Sequence, residues 1–315
     1  MNVTRLGRYR LVESGSSLRI ELGNEHKVLL TYPGDGEYDS VESIGFGDCG
    51  CDLVVSDNTN ALSCGFSELS FGSTWGAAIA VADLRSGICR AGAEGCEGEG
   101  EVSLILLLGP DFSISSMARA GITSVEAITA VIQDLKLRDG EGRCGSGTKN
   151  LRVAIVSDKK SEIHLRGTGK HSKMGEIIGR TVYDAVMDSA IKNGVQRPGP
   201  VMAGLLSRGF DEERIRSMLG MTAEELETFV RKMDDDNVKA CFSSISHLED
   251  EISWGLIPES AGNEIGRRAI AAVLGVQPSE GNSLSESFLF ALIEYGSRSH
   301  PLHFTTVCVS LKASL

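Results

Sequence analysis

Apolar positions recur with two different periods along this 315-residue chain. In the first third they come in short runs punctuated by glycine. Residues 18–22 and 27–31 alternate apolar and polar around Gly23-Asn24, which predicts a β-hairpin. A loop, Pro33-Gly-Asp-Gly-Glu-Tyr38, follows. Residues 52–56, 62–66 and 77–82 read as further short strands. Residues 101–108 are the most apolar, interrupted only by Ser103, and belong at the centre of a sheet.

The period then lengthens. Ile114, Met117 and Ala118 recur at helical spacing, as do Val125, Ile128, Ile132 and Leu135. Thr123-Ser-Val-Glu126 between them fits a capping box, so two helices are expected. After a glycine loop, 151–156 and 162–166 read as strands. A long helix follows, with Met174, Ile177, Ile178, Val182, Ala185 and Val186 on one face. Ser172 is its expected N-cap and Gly194 its C′ residue. Arg197-Pro-Gly-Pro200 marks a boundary, beyond which 211–219, 223–233, 238–254, 259–274 and 284–295 are helical. Residues 304–311 alternate like a last strand. The pattern predicts an α+β (or α/β) fold with a mixed β-sheet core packed by long helices. The expected division is a core over 1–196 and a mostly helical extension over 197–315.

Composition narrows the function classes. The chain is 41% apolar and 23% charged, ordinary for a globular protein. Its 37 glycines against 7 prolines suggest tight loops rather than linkers. A net charge of −12 disfavours nucleic acid as a partner, because phosphate neutralisation needs a basic face. The longest apolar run is far too short to span a bilayer, so no membrane partner is expected. The first residues carry no apolar signal core, and the eight cysteines read as reduced thiols of a cytoplasmic protein.

The segment Gly167-Thr-Gly-Lys170-His171-Ser-Lys173-Met-Gly175-Glu176-Ile-Ile-Gly179 is the strongest candidate for chemistry. A helix N-terminus presents unpaired N–H groups and the positive end of a dipole, and Lys170, His171 and Lys173 add to it. Two lysines there oppose the dipole, which points to an anion or carboxylate partner. Gly175 and Gly179, one turn apart, permit close backbone approach.

Other constellations are weaker. Gly140-Glu-Gly-Arg-Cys-Gly145-Ser-Gly147-Thr148-Lys149-Asn150 follows a helix and opens a strand, the reverse of a Walker loop, and lacks its spacing. Asp48-Cys49-Gly-Cys51-Asp52, with Cys64 beyond, has no histidine near it and is too tightly spaced for zinc; no metal site is expected. The helices 211–219 and 223–233 resemble a helix-turn-helix, but Glu224, Glu225 and Glu227 would repel phosphates. Thr222-x-x-Glu225 is a capping box there. His300 and His303 are isolated.

Residues from about Ile79 to Gly194 resemble the adenosylcobinamide amidohydrolase (CbiZ) family. Three stretches carry the likeness. Residues 100–108 with 115–127 look like its G-T-I-N strand and T-A-T-E-A-K helix. Residues 145–150 look like its T-G-T-x-T-D loop, and 167–176 like its G-x-H-T-K-x-G-E turn. The resemblance implies an amide hydrolase of corrinoid salvage, found largely in archaea, that converts adenosylcobinamide to adenosylcobyric acid by removing the aminopropanol side chain. Matching positions are Glu126, Gly145, Gly147, Thr148, His171, Lys173, Gly175 and Glu176. This chain departs where it has Ala82-Asp83-Leu for T-A-G, Ser103 for the strand asparagine, Lys149-Asn150 for T-D, and Ile128 for a lysine.

The expected catalytic residues are therefore His171, Glu126, Lys173 and Asp83. His171 serves as general acid or base, Lys170 or Lys173 steadies the oxyanion, and Glu126 or Asp83 orients the histidine or activates water. Expected substrate-binding residues are Gly145, Gly147, Thr148, Lys149, Lys170, Ser103 and Glu176, with backbone amides of 145–148 holding carboxamides. No cofactor is expected to be required; a corrinoid is the expected small-molecule substrate, and a homo-oligomer is compatible with the sequence. The departures leave a second reading, a non-catalytic binder of a corrinoid or nucleotide-like ligand. A third is an interaction protein whose helical C-terminus docks a partner.

Overall fold

A computed structural model describes residues 2–6, 9–31, 37–57, 63–140, 142–195, 201–278, 281 and 283–299. The chain divides into two compact units, Met1–Val195 and Gln196–Leu315.

The first unit is built on one nine-stranded sheet. Its strands are β1 (Asn2–Leu6), β2 (Tyr9–Ser14), β3 (Ser17–Leu30), β4 (Glu37–Phe46), β5 (Leu53–Ser56), β6 (Gly65–Phe71), β7 (Thr74–Asp83), β9 (Glu101–Leu108) and β11 (Asn150–Asp158). The short strands β8 (Ile88–Cys89) and β10 (Gly147–Thr148) pair with each other. Strand order is β1-β2-β3-β11-β9-β7-β6, with β4 against β3 and β5 against β4. Among the described strands, β9–β11 and β4–β5 pair in parallel and the others antiparallel. The β9–β11 crossover is α1 (Ile114–Asp134), and α2 (Lys173–Lys192) follows β11.

The central strands are apolar along most of their length because both faces are covered. Ala78, Ala80, Leu104, Leu106, Val153 and Ile155 pack under α1 and α2. Ala77, Ile79, Ile105, Leu107, Ala154 and Val156 pack against residues of β2–β5 such as Leu18, Ile20, Ile44 and Phe46. The expected α+β fold, with a mixed sheet packed by long helices, is what forms, and 101–108 is central between β11 and β7.

Local expectations fare unevenly. The hairpin around Gly23-Asn24 does not exist. β3 runs straight through it as one 14-residue strand, with Gly23 at φ 77° and a register shift between Glu21 and His26. That kink lets β3 pair with β2 along its first half and with β11 along its second. α1 is one helix, not two. Its N-cap is Ser113, and Thr123 is internal, donating to the Arg119 and Thr168 carbonyls. Residues 162–166 make a single bridge, Asp111 to His164, rather than a strand. Ser172 does cap α2, accepting from Gly175 N–H at 3.0 Å, and Gly194 takes φ 93°.

The second unit has α3 (Val201–Leu206), α4 (Glu212–Leu219), α5 (Ala223–Lys232), α6 (Asp236–Ser253), α7 (Glu259–Leu274) and α8 (Leu284–Ser299) around its own apolar core. The Thr222–Glu225 capping box forms. The Arg197-Pro-Gly-Pro200 segment, His300, His303 and residues 304–311 lie outside the described residues. No helix among the described residues is long and apolar enough to cross a membrane.

Candidate functional site

The structure sorts the candidate residues into two polar groups. The first lies where α1 meets the start of α2. The 167–172 turn is stitched to α1: Thr168 Oγ1 donates to the Ser116 carbonyl at 2.6 Å and Thr123 Oγ1 to the Thr168 carbonyl at 3.1 Å. Gly175 is required there, because a Cβ on it would run into the Gly169 carbonyl. One turn along from Thr123, Glu126 accepts from Lys170 Nζ at 2.8 Å. Lys173 Nζ bonds Glu176 at 2.6 Å, and Arg180 lies 3.6 Å from the same carboxylate. The hydrogen bond from Lys173 holds the Glu176 carboxyl below its usual range. The lysines that oppose the helix dipole thus have carboxylate partners. His171 between them is exposed and makes no side-chain hydrogen bond to the described residues. Arg119 flanks Gly169. His171 thus lies in the turn between two lysine–carboxylate pairs at a helix N-terminus, an arrangement suited to proton transfer beside a developing negative charge.

The 145–148 loop lies further along α1, where Thr129, one turn beyond Glu126, donates to the Ser146 carbonyl at 2.8 Å, and it leads into β11 at Asn150, opposite Glu101. The amides of Gly145 and Ser146 are spent within the protein. Gly145 N–H donates to Leu137 O, Ser146 N–H to Cys89 O and Lys149 N–H to Gly87 O. Thr148 Oγ1 donates to the Asn150 carbonyl, and Lys149 Nζ pairs with Glu99 at 2.7 Å. Packing explains Gly145, where a Cβ would strike Ile88, but not Gly147, which has nothing within 4 Å.

The second group lies at the other end of the sheet. Asp83 ends β7 and is clamped by Arg85, with Nε at 3.0 Å and Nη2 at 2.7 Å. That bond holds the Asp83 carboxyl below its usual range. Ser103 is fully buried on β9 and donates to Glu101. The same Glu101 oxygen accepts from Ser56 and from Arg152 Nη1 at 2.7 Å. Glu101 stands directly opposite Asp83, and Arg152 opposite Ser103.

The two groups do not converge. Met174 and Ile177 sit over Gly76 at the start of β7, while Ser189 and Asn193 bond Ala82 near its end. Twenty helical residues at about 1.5 Å each put His171 and Asp83 roughly 30 Å apart along α2. Asp83 and Ser103 therefore do not rebuild the neighbourhood of His171.

Residues 61–197 match the adenosylcobinamide amidohydrolase (CbiZ) family. The resemblance over Ile79–Gly194 is thereby borne out, as that of a divergent member, and begins earlier, ahead of β6. A 97-residue stretch is also 35% identical to an uncharacterized protein of Methanocaldococcus jannaschii, covering 30% of this chain and 36% of that protein. The chain thus matches about a third of that relative's length. Within the CbiZ segment, the helix-side group keeps Glu126, His171, Lys173, Gly175 and Glu176 together; the strand-end group holds the departures Asp83 and Ser103.

Several polar residues escaped the sequence reading. Glu101, Ser56 and Arg152 are far apart in sequence and meet only through strand pairing. Buried His26 bonds the Asn24 carbonyl at 2.7 Å and Tyr9 Oη at 2.9 Å, with Asp158 at 3.8 Å. Asp111 bridges Lys27 and His164. The cysteine expectation needs correction: Cys89 and Cys96 are disulfide-bonded, because the glycine-rich turn between them brings their Cα atoms to 5.4 Å. Cys49, Cys51, Cys64, Cys144 and Cys241 are free, and Cys308 lies outside the described residues. Among the described residues no three His, Cys, Asp or Glu side chains could hold a metal ion together.

Proposed function

We propose that the helix-side group is the active site of an amide hydrolase acting on a corrinoid, converting adenosylcobinamide to adenosylcobyric acid and aminopropanol or its phosphate. The observation that carries this reading is the assembly of Glu126, Lys170, His171, Lys173 and Glu176 at one helix start, inside the segment that matches the family. In this mechanism His171 takes a proton from water as its oxygen attacks the amide carbon. Lys170 or Lys173 and the α2 dipole stabilise the tetrahedral oxyanion. His171 then returns the proton to the leaving amine, which completes C–N cleavage. Glu126 positions Lys170. Incubation with adenosylcobinamide, followed by chromatography, should yield adenosylcobyric acid; an unchanged corrinoid under saturating protein would refute the reading.

A second reading, a binder without turnover, is favoured by one feature. The 145–146 amides that should hold carboxamides are spent within the protein. Equilibrium binding of adenosylcobinamide with no product would select it.

A further inference from the structure

Two free cysteines sit side by side where β4 gives way to β5, outside the segment that matches the family. Cys49 and Cys51 flank Gly50, and their sulfurs are 2.6 Å apart. A two-coordinate soft metal would hold two sulfurs roughly 4.6 Å apart, twice a metal–sulfur bond of about 2.3 Å. The observed spacing is closer to a disulfide, at about 2.05 Å. The loop is shaped for the pair. Gly47 and Gly50 adopt φ 67° and 60°, and Cys49 N–H closes onto the Gly47 carbonyl at 2.8 Å. Asp52 anchors the exit by accepting the Glu42 and Ser43 N–H groups. A Cβ on Gly45 would come within 2.9 and 3.0 Å of the two sulfurs, so a bare backbone forms their floor. Arg19 reaches from β3 to donate to the Gly50 carbonyl, and its positive charge acts on the Cys51 thiol. Both cysteines are half-buried and keep a path to solvent.

We propose that Cys49 and Cys51 are a redox-active dithiol that reduces the disulfides of small thiols by exchange. Cys49, as thiolate, attacks one sulfur of the disulfide R–S–S–R and expels the first RS⁻, which takes up the proton Cys49 released. The mixed disulfide Cys49–S–S–R forms. Cys51 then attacks the Cys49 sulfur, expels the second RS⁻ and passes its proton to it. The two cysteines lose two electrons, the substrate gains them, and two RSH leave. Burial, then the bond to Cys49, raises the Cys51 thiol above its ordinary range, which assigns Cys51 the later, resolving step. Arg19 favours the Cys51 thiolate in the resolving step.

The full-length protein is equilibrated in buffers of reduced and oxidised glutathione, alkylated and mapped by peptide mass. The 49–51 peptide should pass from two alkylated thiols to none in one two-electron transition. The oxidised peptide should weigh about 2 Da less than the unalkylated dithiol, with Cys144 following a separate course. Cys51→Ser should stop at one glutathione on Cys49, and Cys49→Ser should abolish rapid exchange at position 51. Two alkylated thiols at the most oxidising ratio, or two separate glutathione adducts on the wild-type protein, would overturn the proposal.

Discussion

The two polar groups of the first unit use similar residues to opposite ends. In the strand-end group, Glu101 and Arg152 are 13% and 19% exposed, and one carboxylate oxygen gathers Ser56, Ser103 and Arg152. In the helix-side group, Lys170, Glu126, Lys173 and Glu176 are each 44–60% exposed and paired two by two. Ion pairs in water contribute little to stability, whereas a half-buried network costs much when one member is removed. The strand-end group is therefore expected to hold the fold, and the helix-side group to be free for chemistry.

His171→Ala tests the comparison hardest. Turnover of adenosylcobinamide should fall about a hundredfold or more, with thermal stability unchanged, because His171 makes no bond that the fold uses. Near-wild-type turnover would remove His171 from the mechanism. Arg152→Ala should do the converse. It leaves Glu101 short of its cationic partner and should lower stability by about 2–3 kcal/mol, read from denaturant unfolding. The folded fraction should keep its turnover; a selective loss of turnover would place the strand-end group in the site.

This division explains what sequence could and could not show. Local patterns were legible: the N-cap Ser172, the Gly194 stop, the Thr222 box and the apolar run of β9 all depend on neighbours within four residues. The turn at 167–179 was legible for the same reason. Thr123-Ser-Val-Glu126 misled because a capping box is only a local offer. The turn gives Thr123 a better partner in Thr168 and α1 continues through. Gly23 misled because a positive φ serves a kinked strand as well as a hairpin. The Glu101–Arg152 network was illegible, since its members are brought together by registry between β9 and β11. Asp83 looked like a replacement for lost polar groups because family alignment ignores which end of the sheet a residue occupies.

Cys64 sharpens the contrast through pH. It is 2% exposed, in the apolar layer that covers one face of the central strands. Burial pushes its thiol from about 9 up to about 12. The folded state therefore binds a proton that the unfolded state releases between these values. The contribution is fully present below pH 9 and is lost as pH rises toward 12, by about 1–2 kcal/mol at pH 10. Cys64→Ala should flatten that alkaline slope in urea titrations, while His171→Ala should not. An identical slope in wild type and Cys64→Ala would show that another group controls it.

The smallest effect should come from the Lys170–Glu126 pair, and its smallness is informative. Both side chains are about half exposed, so solvent screens their attraction. Glu126→Gln should therefore change stability by less than about 1 kcal/mol. If Glu126 only positions Lys170, kcat should fall while KM holds, because the lysine is needed most as the oxyanion develops. Lys170→Met should reproduce that fall, and the double variant should lose no more than the worse single one. Independent, additive losses would mean that Glu126 acts on water or substrate directly. A rise in KM alone would make the pair part of substrate binding rather than of the chemical step.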